Sequence, residues 1–479
     1  MIKYSVTFMR ENVFCRCLTV LLVTIIFFVN FLLPVKAEDE EIYAEYTIEE
    51  GDFLSIVAGM FNTTVDDILA INNIPDVNAI SIGTRIKIPT LAGVEGSIAT
   101  RYINIGDTLD TLSIMSGMMP EKLGEINTLV SPTELYIGSL LTTISNDKAE
   151  SISAVSNYES GENLLMKSAE LGMSPVTLQK INRAEGVWDF ADSQILFGKT
   201  SSNSGKYETH SVAPFVDVIE IKQLPLTQGE THVVHVQAEN IENLSGSVGN
   251  YPLRFFRDSG SDDWFAMLGI DAMETVGLSR LNISGSNKDQ EHFELNQPII
   301  IAAGIFTSEV VEGVDASTLE EENQSLDTQT VKSLTQTSDV RTWGSSMSYP
   351  VDEPYFVSGF GNRRTYNNGV FHNYHSGVDF GVYTASNINI YAAADGKVLF
   401  AGELPIHGNF TVIDHGWGVY TSYSHQAQLL VTAGQDVKRG DTIGLIGNTG
   451  RSVGPHLHWE VIINSVYVNP VTWLNTQFP

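Results

Sequence analysis

The sequence predicts a multidomain chain, mostly β toward its C-terminus. Small strand–helix–helix–strand (βααβ) repeats come first, then a β-sandwich, then an antiparallel β domain. Three observations predict it. Gly51-Asp52, Gly106-Asp107 and Gly161-Glu162 recur at a period of 55 residues, and a fixed period marks tandem copies of a small unit. From about residue 213 to 306 short alternating runs follow one another, punctuated by Gly and Asn, the pattern of half-buried strands. From Tyr349 a Gly-punctuated β pattern runs on with no amphipathic helix longer than two turns, and seven of the eleven histidines lie beyond residue 342.

The 479 residues are enough for several domains, and 43% hydrophobic with 18% charged residues is a globular composition. A formal charge of −30 excludes a nucleic-acid partner, which calls for a basic stripe. It gives no electrostatic help on an anionic polymer either, so binding to one must rest on specific contacts. Residues 1–37 read as a signal peptide: Lys3, Arg10 and Arg16 precede an apolar run over 18–33, and Val35-Lys36-Ala37 offers a cleavage site. An uncleaved membrane anchor is the alternative; either way the bulk of the chain is extracytoplasmic, secreted or envelope-associated. Cys15 and Cys17 precede the apolar run, so the mature chain has no disulfide and any metal must be held by His and carboxylate.

Each repeat is justified in turn. Residues 44–48 form a leading strand, and the acidic residue of Gly51-Asp52 is expected to cap the helix that follows. Leu54, Val57, Ala58, Phe61 and then Val65, Ile68 and Leu69 lie at helical spacing, Ile71-Asn72 follows, and residues 85–89 close the unit as a strand. Ile126-Asn127 and Ile181-Asn182 repeat the Ile-Asn pair. Residues 46–89 resemble a LysM domain, a module that binds N-acetylglucosamine-containing glycans. The resemblance places one repeat at 44–90, a LysM-like repeat at 100–145 and a degenerate one at 156–200. In the last, Glu162 replaces Asp and the closing Ile-Pro is missing. Spacers of the same fold without glycan affinity are the alternative.

After the SSNSGK break at 201–206, residues 207–306 are expected to form the β-sandwich. The stretch YPLRFFRDSGSDDWFAMLGIDAMETVGLSRLNI resembles the Ig-like domain that precedes lysostaphin-type catalytic domains. Residues 307–342, rich in Ser, Thr, Asp and Glu, read as a linker with a short helix.

The chemistry is expected in residues 343–479. His375-Ser-Gly-Val-Asp379 and His456-Leu-His458 place His and Asp two or four residues apart, and on strands such pairs face one side and can converge. Two His and one Asp supply the three protein ligands of a catalytic zinc, leaving a position for water. The order SGFGNRRTYNNG, YHSGVDF, ADGKV, GVYTSYSH and IGNTGRSVGPHLHWEV resembles the lysostaphin-type zinc endopeptidases over about 350–474. The resemblance implies His375, Asp379 and His458 as zinc ligands, with His425 and His456 as the catalytic, non-ligating pair. Which of that pair is the general base stays open. Two departures stand out. Tyr423-Ser424-His425-Gln426 replaces Tyr-Ala-His-Leu, and Asn387-Ile388-Asn389-Ile390 replaces Gly-Thr-Pro-Val. His372 and His407 read as exposed loop residues, His415 as closing a turn, and Trp417 and Trp459 as packing.

By this resemblance the chain is a secreted zinc metalloendopeptidase. It hydrolyses peptide cross-links of bacterial peptidoglycan, held on the glycan strands by its repeats, with no obligate protein partner. The alternative is a non-catalytic glycan-binding regulator of other wall hydrolases, against which the five key positions speak.

Overall fold

The computed structural model describes residues 42–74, 80–145, 154–158, 161–184, 186, 190, 194–198, 213, 215–334, 337–367, 369, 373–383 and 386–479. The export segment, both cysteines, the 201–206 break and His372 lie outside the described residues. The chain divides into two compact units, Met1–Ile98 with Ile144–Asp147, and Ala99–Thr143 with Lys148–Pro479.

In the first unit, strand Tyr43–Thr47 runs antiparallel to Arg85–Ala92, with helices Leu54–Met60 and Val65–Ile71 between them in the chain. Leu54, Val57, Ile68, Ile86 and Ile88 are buried, so the apolar stripe predicted for the helices is the core stripe. The expected helix cap is not formed. The first helix has Phe53 at its N-cap with no side-chain bond, whereas Asp52 accepts from Glu49 N (2.8 Å) and Tyr46 Oη (2.9 Å). Asp52 lies one residue too early to reach the helix amides, and closes the preceding turn instead. The turn needs a left-handed residue, which Gly51 supplies at φ +93°.

The repeating Asn has its own reason. Asn72 Nδ2 donates to Ile68 O and Lys87 O, and its Oδ1 accepts from Lys87 N, each at 2.8 Å. One side chain thus ends the second helix and ties it to the closing strand. In the second unit Asn127 does the same with Leu123 O, Thr142 O and Thr142 N. Residues 154–198 there again show two antiparallel strands, Ala154–Tyr158 and Gln194–Gly198, around helices Leu164–Glu170 and Pro175–Ile181.

Residues 216–302 form a four-stranded and a five-stranded antiparallel layer; strand Leu226–Thr227 alone pairs parallel, at the edge of the five-stranded one. They share one core that includes Val234, Val236, Ala266 and Leu268 from the first and Leu281, Ile283, Ile299 and Ile301 from the second, as in two sheets packed face to face. Ile137 of the second repeat bonds into this body through Pro298 O and Ile300 N.

The C-terminal sheet runs in the order Tyr355–Ser358, Val378–Gly381, His456–Ile463, Val419–Leu429, Gly408–Asp414, Gly396–Leu404 and Asp436–Val437, with antiparallel neighbours throughout. Its strands alternate as the period of two requires. Val378, Phe380, Leu457, Trp459, Val461, Val419 and Tyr423 enter one core, with Trp343, Trp417 and Trp473. Asp379, His458, Glu460 and Ser422 therefore belong to the opposite face.

Residues 307–342 are not a linker. Strand Ser308–Val311 pairs in parallel with Arg363–Tyr366. Helix Glu321–Ser333 places Val331 in a second core with Leu404, Phe410, Val412, Tyr420 and Ile462. This helix covers part of the face that carries Asp379, and the remainder of that face opens as a groove.

Candidate active site

The register of the sheet brings the predicted residues together. Asp379 lies opposite His458, and His458 opposite Ser424 on the next strand; directly opposed residues share a face. His375 is not on a strand, so the four-residue parity does not apply to it. It precedes Val378–Gly381 and is fixed by its backbone, whose N–H donates to Asn362 O (2.9 Å) and whose C=O accepts from Gly361 N (2.8 Å). His425 has φ +62°, a conformation uncommon outside glycine. This local twist turns its ring toward the site, where its centroid lies 4.8 Å from that of His456 and 5.9 Å from that of His458.

His375, Asp379 and His458 are all buried, and one donor atom from each lies within 4.8 Å of the others. His375 Nε2 is 3.0 Å from Asp379 Oδ1 and 2.9 Å from His458 Nδ1, which is itself 2.8 Å from Asp379 Oδ1. Two imidazole nitrogens and one carboxylate oxygen, with no sulfur, form a set that suits zinc. The far side of each donor is engaged, as metal ligands require. His375 Nδ1 donates to Gly359 O (2.7 Å), His458 Nε2 faces Glu460 Oε1 (3.0 Å), and Asp379 Oδ2 accepts from Arg364 Nη2 (2.8 Å). The residues present fit the ion.

The other two histidines present a different pattern. His425 Nδ1 lies 2.8 Å from Thr449 O, and His456 Nδ1 lies 2.8 Å from Gly454 O. A carbonyl only accepts, so in both rings Nδ1 carries a hydrogen, and in the neutral form Nε2 is the bare nitrogen. His456 Nε2 is 3.7 Å from Asp379 Oδ1.

Electrostatics follow from burial. Burial works against a charged Asp379, yet the two imidazoles hold its carboxyl well below the usual carboxylate range. Burial pushes His375 and His425 down, toward the neutral ring that ligation and proton acceptance both need. His458 moves the other way: burial opposes its charge, but the buried Glu460 carboxylate lifts it to about 9. Ser376 Oγ donates to the same carboxylate at 2.6 Å, as does Ser422.

His375, Asp379, His425, His456 and His458 line a groove of about 440 Å³ whose walls also include Glu309, Arg364 and residues 451–455. The sequence alone assigned no role to Glu309, Arg364, Ser358, Glu460 or Asp327. Glu460 had a legible signal, since it follows His458 by two residues on one strand; Ser358 and Arg364 lie in the SGFGNRRTYNNG segment, whereas Glu309 and Asp327 had none. His407 is not an exposed loop residue. Its side chain is 13% exposed, its Nδ1 lies 2.5 Å from Asp327 Oδ2 and its Nε2 lies 3.9 Å from Glu460. His415 is buried, bonded to Asp395 O and Thr421 Oγ1, and its backbone N–H closes the 415–419 turn on Val419 O. Trp417 and Trp459 are packing residues, both buried.

Residues 373–470 match the model of peptidase family M23, and residues 46–89 and 98–143 match that of the LysM domain. The chain is 41% identical over 122 residues to peptidoglycan DD-endopeptidase ShyA of Vibrio cholerae serotype O1, covering 25% of this chain and 28% of that protein. It is 39% identical over 133 residues to peptidoglycan DD-endopeptidase ShyB of the same organism, covering 27% and 30%. The matched segment thus spans less than a third of the length of either relative. A crystal structure of a zinc containing peptidase from Vibrio cholerae aligns with a TM-score of 0.26 at 16% identity, over 91% of this chain and 99% of that one.

Proposed function

We propose that this chain, which carries a peptidase family M23 domain behind LysM domains, is an exported zinc metalloendopeptidase acting on the peptide cross-links of bacterial peptidoglycan. The names of its relatives support the substrate, and the basic, apolar and small-residue order of residues 1–37 supports export. One observation carries the chemistry. Three buried donors converge within 4.8 Å beside two imidazoles that offer bare Nε2 atoms to the same groove.

In this reading His375, Asp379 and His458 hold the ion, which supplies a Lewis acid for a peptide carbonyl and for activating water. His425 and His456 flank the reacting carbonyl. One Nε2 takes the proton that the attacking water gives up as its oxygen joins the carbonyl carbon. The C–N bond then breaks, and that proton passes to the departing nitrogen. The other bare Nε2 accepts a hydrogen bond from the same water and orients it for the attack. Helix Glu321–Ser333 closes water out of the sheet face beside the groove.

The domain reading follows. Residues 44–90 and 100–145 hold the enzyme on glycan, 156–200 is a third repeat of the same build, and the 207–306 sandwich, read as Ig-like, positions its neighbour. Residues 308–333 join 343–479 as part of the catalytic body. Purified protein incubated with peptidoglycan is expected to release new amino termini, to stop in chelator and to resume when zinc is returned. Zinc-loaded protein that releases none, yet raises the activity of another wall hydrolase, would favour the regulator reading.

A further inference from the structure

Behind Asp379 lies a chain of charged contacts that reaches from the SGFGNRRTYNNG segment into residues 307–342. Arg364 sits on the strand Arg363–Tyr366 with a side chain 14% exposed. Its Nη2 donates to Asp379 Oδ2 (2.8 Å) and to Ser358 Oγ (2.9 Å). Its Nε donates to Glu309 Oε1. Glu309 is the register partner of Arg364 on the parallel edge strand Ser308–Val311. It also accepts from Ser358 Oγ at 2.9 and 3.0 Å and from Asn362 Nδ2 at 3.3 Å.

The geometry of a guanidinium makes this arrangement consequential. Its planar fork matches both oxygens of a carboxylate, and left to itself it pairs with them in a bidentate fashion. A bidentate pair with Asp379 would engage Oδ1, the oxygen that lies 3.0 Å from His375 Nε2 and 2.8 Å from His458 Nδ1. Glu309 engages the Nε corner of the fork, and Ser358 shares Nη2. Only Oδ2 of Asp379 is then bonded to Arg364, and Oδ1 stays directed at the two imidazoles.

We propose that Glu309 is a positioning residue for the metal site: acting through Arg364, it keeps one oxygen of Asp379 free for the ion. The inference rests on the metallopeptidase reading, and it places a determinant of metal affinity in a segment that lies before the family match at 373–470.

The test is zinc affinity of the full chain, measured by competition with a chromophoric chelator. Wild type is compared with Glu309→Gln, Arg364→Gln, the double variant and Glu312→Gln, an exposed neighbour on the same segment. Glu309→Gln and Arg364→Gln should each weaken zinc binding by about 10- to 100-fold, the range for outer partners of metal ligands. The double variant should be no weaker than Arg364→Gln alone, because Glu309 acts only through the guanidinium. Glu312→Gln should bind as wild type does. Unfolding temperatures in chelator separate a general loss of stability from a loss of metal. Should Glu309→Gln fail to fold, Glu309→Asp, which keeps the charge and shortens its reach, provides the same comparison. Wild-type zinc affinity in the Glu309 variant, or full additivity in the double variant, would overturn the inference and leave the metallopeptidase reading standing. A wild-type chain that holds no zinc would overturn both.

Discussion

Asp327 offers the sharpest test that residues 307–342 belong to the catalytic body. It lies on helix Glu321–Ser333 at 1% exposure. It accepts from Ile406 N (3.2 Å) and His407 N (3.0 Å) and faces His407 Nδ1 at 2.5 Å. Asp327→Ala removes the acceptor and leaves two backbone N–H groups and one imidazole N–H without it. Each orphaned donor costs about 1–3 kcal/mol. Water entering the space left by the carboxylate recovers part of that, so the net loss is about 3 kcal/mol. For a body of this size a loss of 1 kcal/mol lowers Tm by about 2–4 °C, so the transition of the catalytic body should fall by about 10 °C. Differential scanning calorimetry of the full chain reads it, and Val331→Ala on the same helix should destabilise the same body by about 1 kcal/mol or somewhat more. An Asp327→Ala transition within 2 °C of wild type would refute the claim that this helix is anchored on the sheet.

Three further outcomes follow from other parts of the chain. His232, buried in the sandwich, accepts from Thr227 N at Nε2 (3.1 Å) and donates to Gln223 O from Nδ1 (2.8 Å), so it is held neutral, and burial lowers it from 6.5 to about 4. The unfolded chain then binds more protons between these values, and stability is full above pH 6.5 and falls by about 3 kcal/mol as pH drops to 4; a flat sandwich transition over that window in His232→Gln but not in wild type is the expected calorimetric result. Asn127→Ala should cost about 2 kcal/mol, because Thr142 N and O and Leu123 O lose their partner, and increased hydrogen exchange at Thr142 would show it. Binding of the full chain to purified glycan strands should persist in chelator, since no predicted metal ligand lies in the repeats; loss of binding with the metal would contradict that division of labour.

What was legible in the sequence was what depends on spacing. The 55-residue period survives because Gly51, Asn72 and their counterparts each meet a backbone demand that recurs in every copy. The alternation along the 457–463 run fixed which residues share a face, and so brought His456, His458 and Asp379 together on paper. Glu460 followed the same parity and could have been found with them. Arg364, Glu309 and Asp327 could not. A buried charge is written in the same letters as a surface one, and only the fold shows that Arg364 reaches Asp379 or that Asp327 meets the amide of His407. The polar composition of 307–342 misled for the same reason, because a single buried valine, Val331, together with the buried Asp327 carboxylate seats the helix against an existing face. The expected cap at Asp52 failed on a single residue of register, and the twist at His425 is a backbone property that no side-chain pattern announces.

The central claim divides five residues into two classes, and metal content measures the division directly. Zinc per chain is determined by atomic emission on the wild type and on His375→Ala, Asp379→Ala, His458→Ala, His425→Ala and His456→Ala, each paired with a peptide-release assay. Wild type should carry about one zinc, and the first three variants should lose the ion and activity together, since too few ligands remain for a stable site. His425→Ala and His456→Ala should keep the ion and lose on the order of 10²-fold or more in rate. Loss of zinc in His456→Ala with zinc retained in His458→Ala would reverse the assignment on that strand, and a wild type with neither zinc nor peptide release would contradict the account.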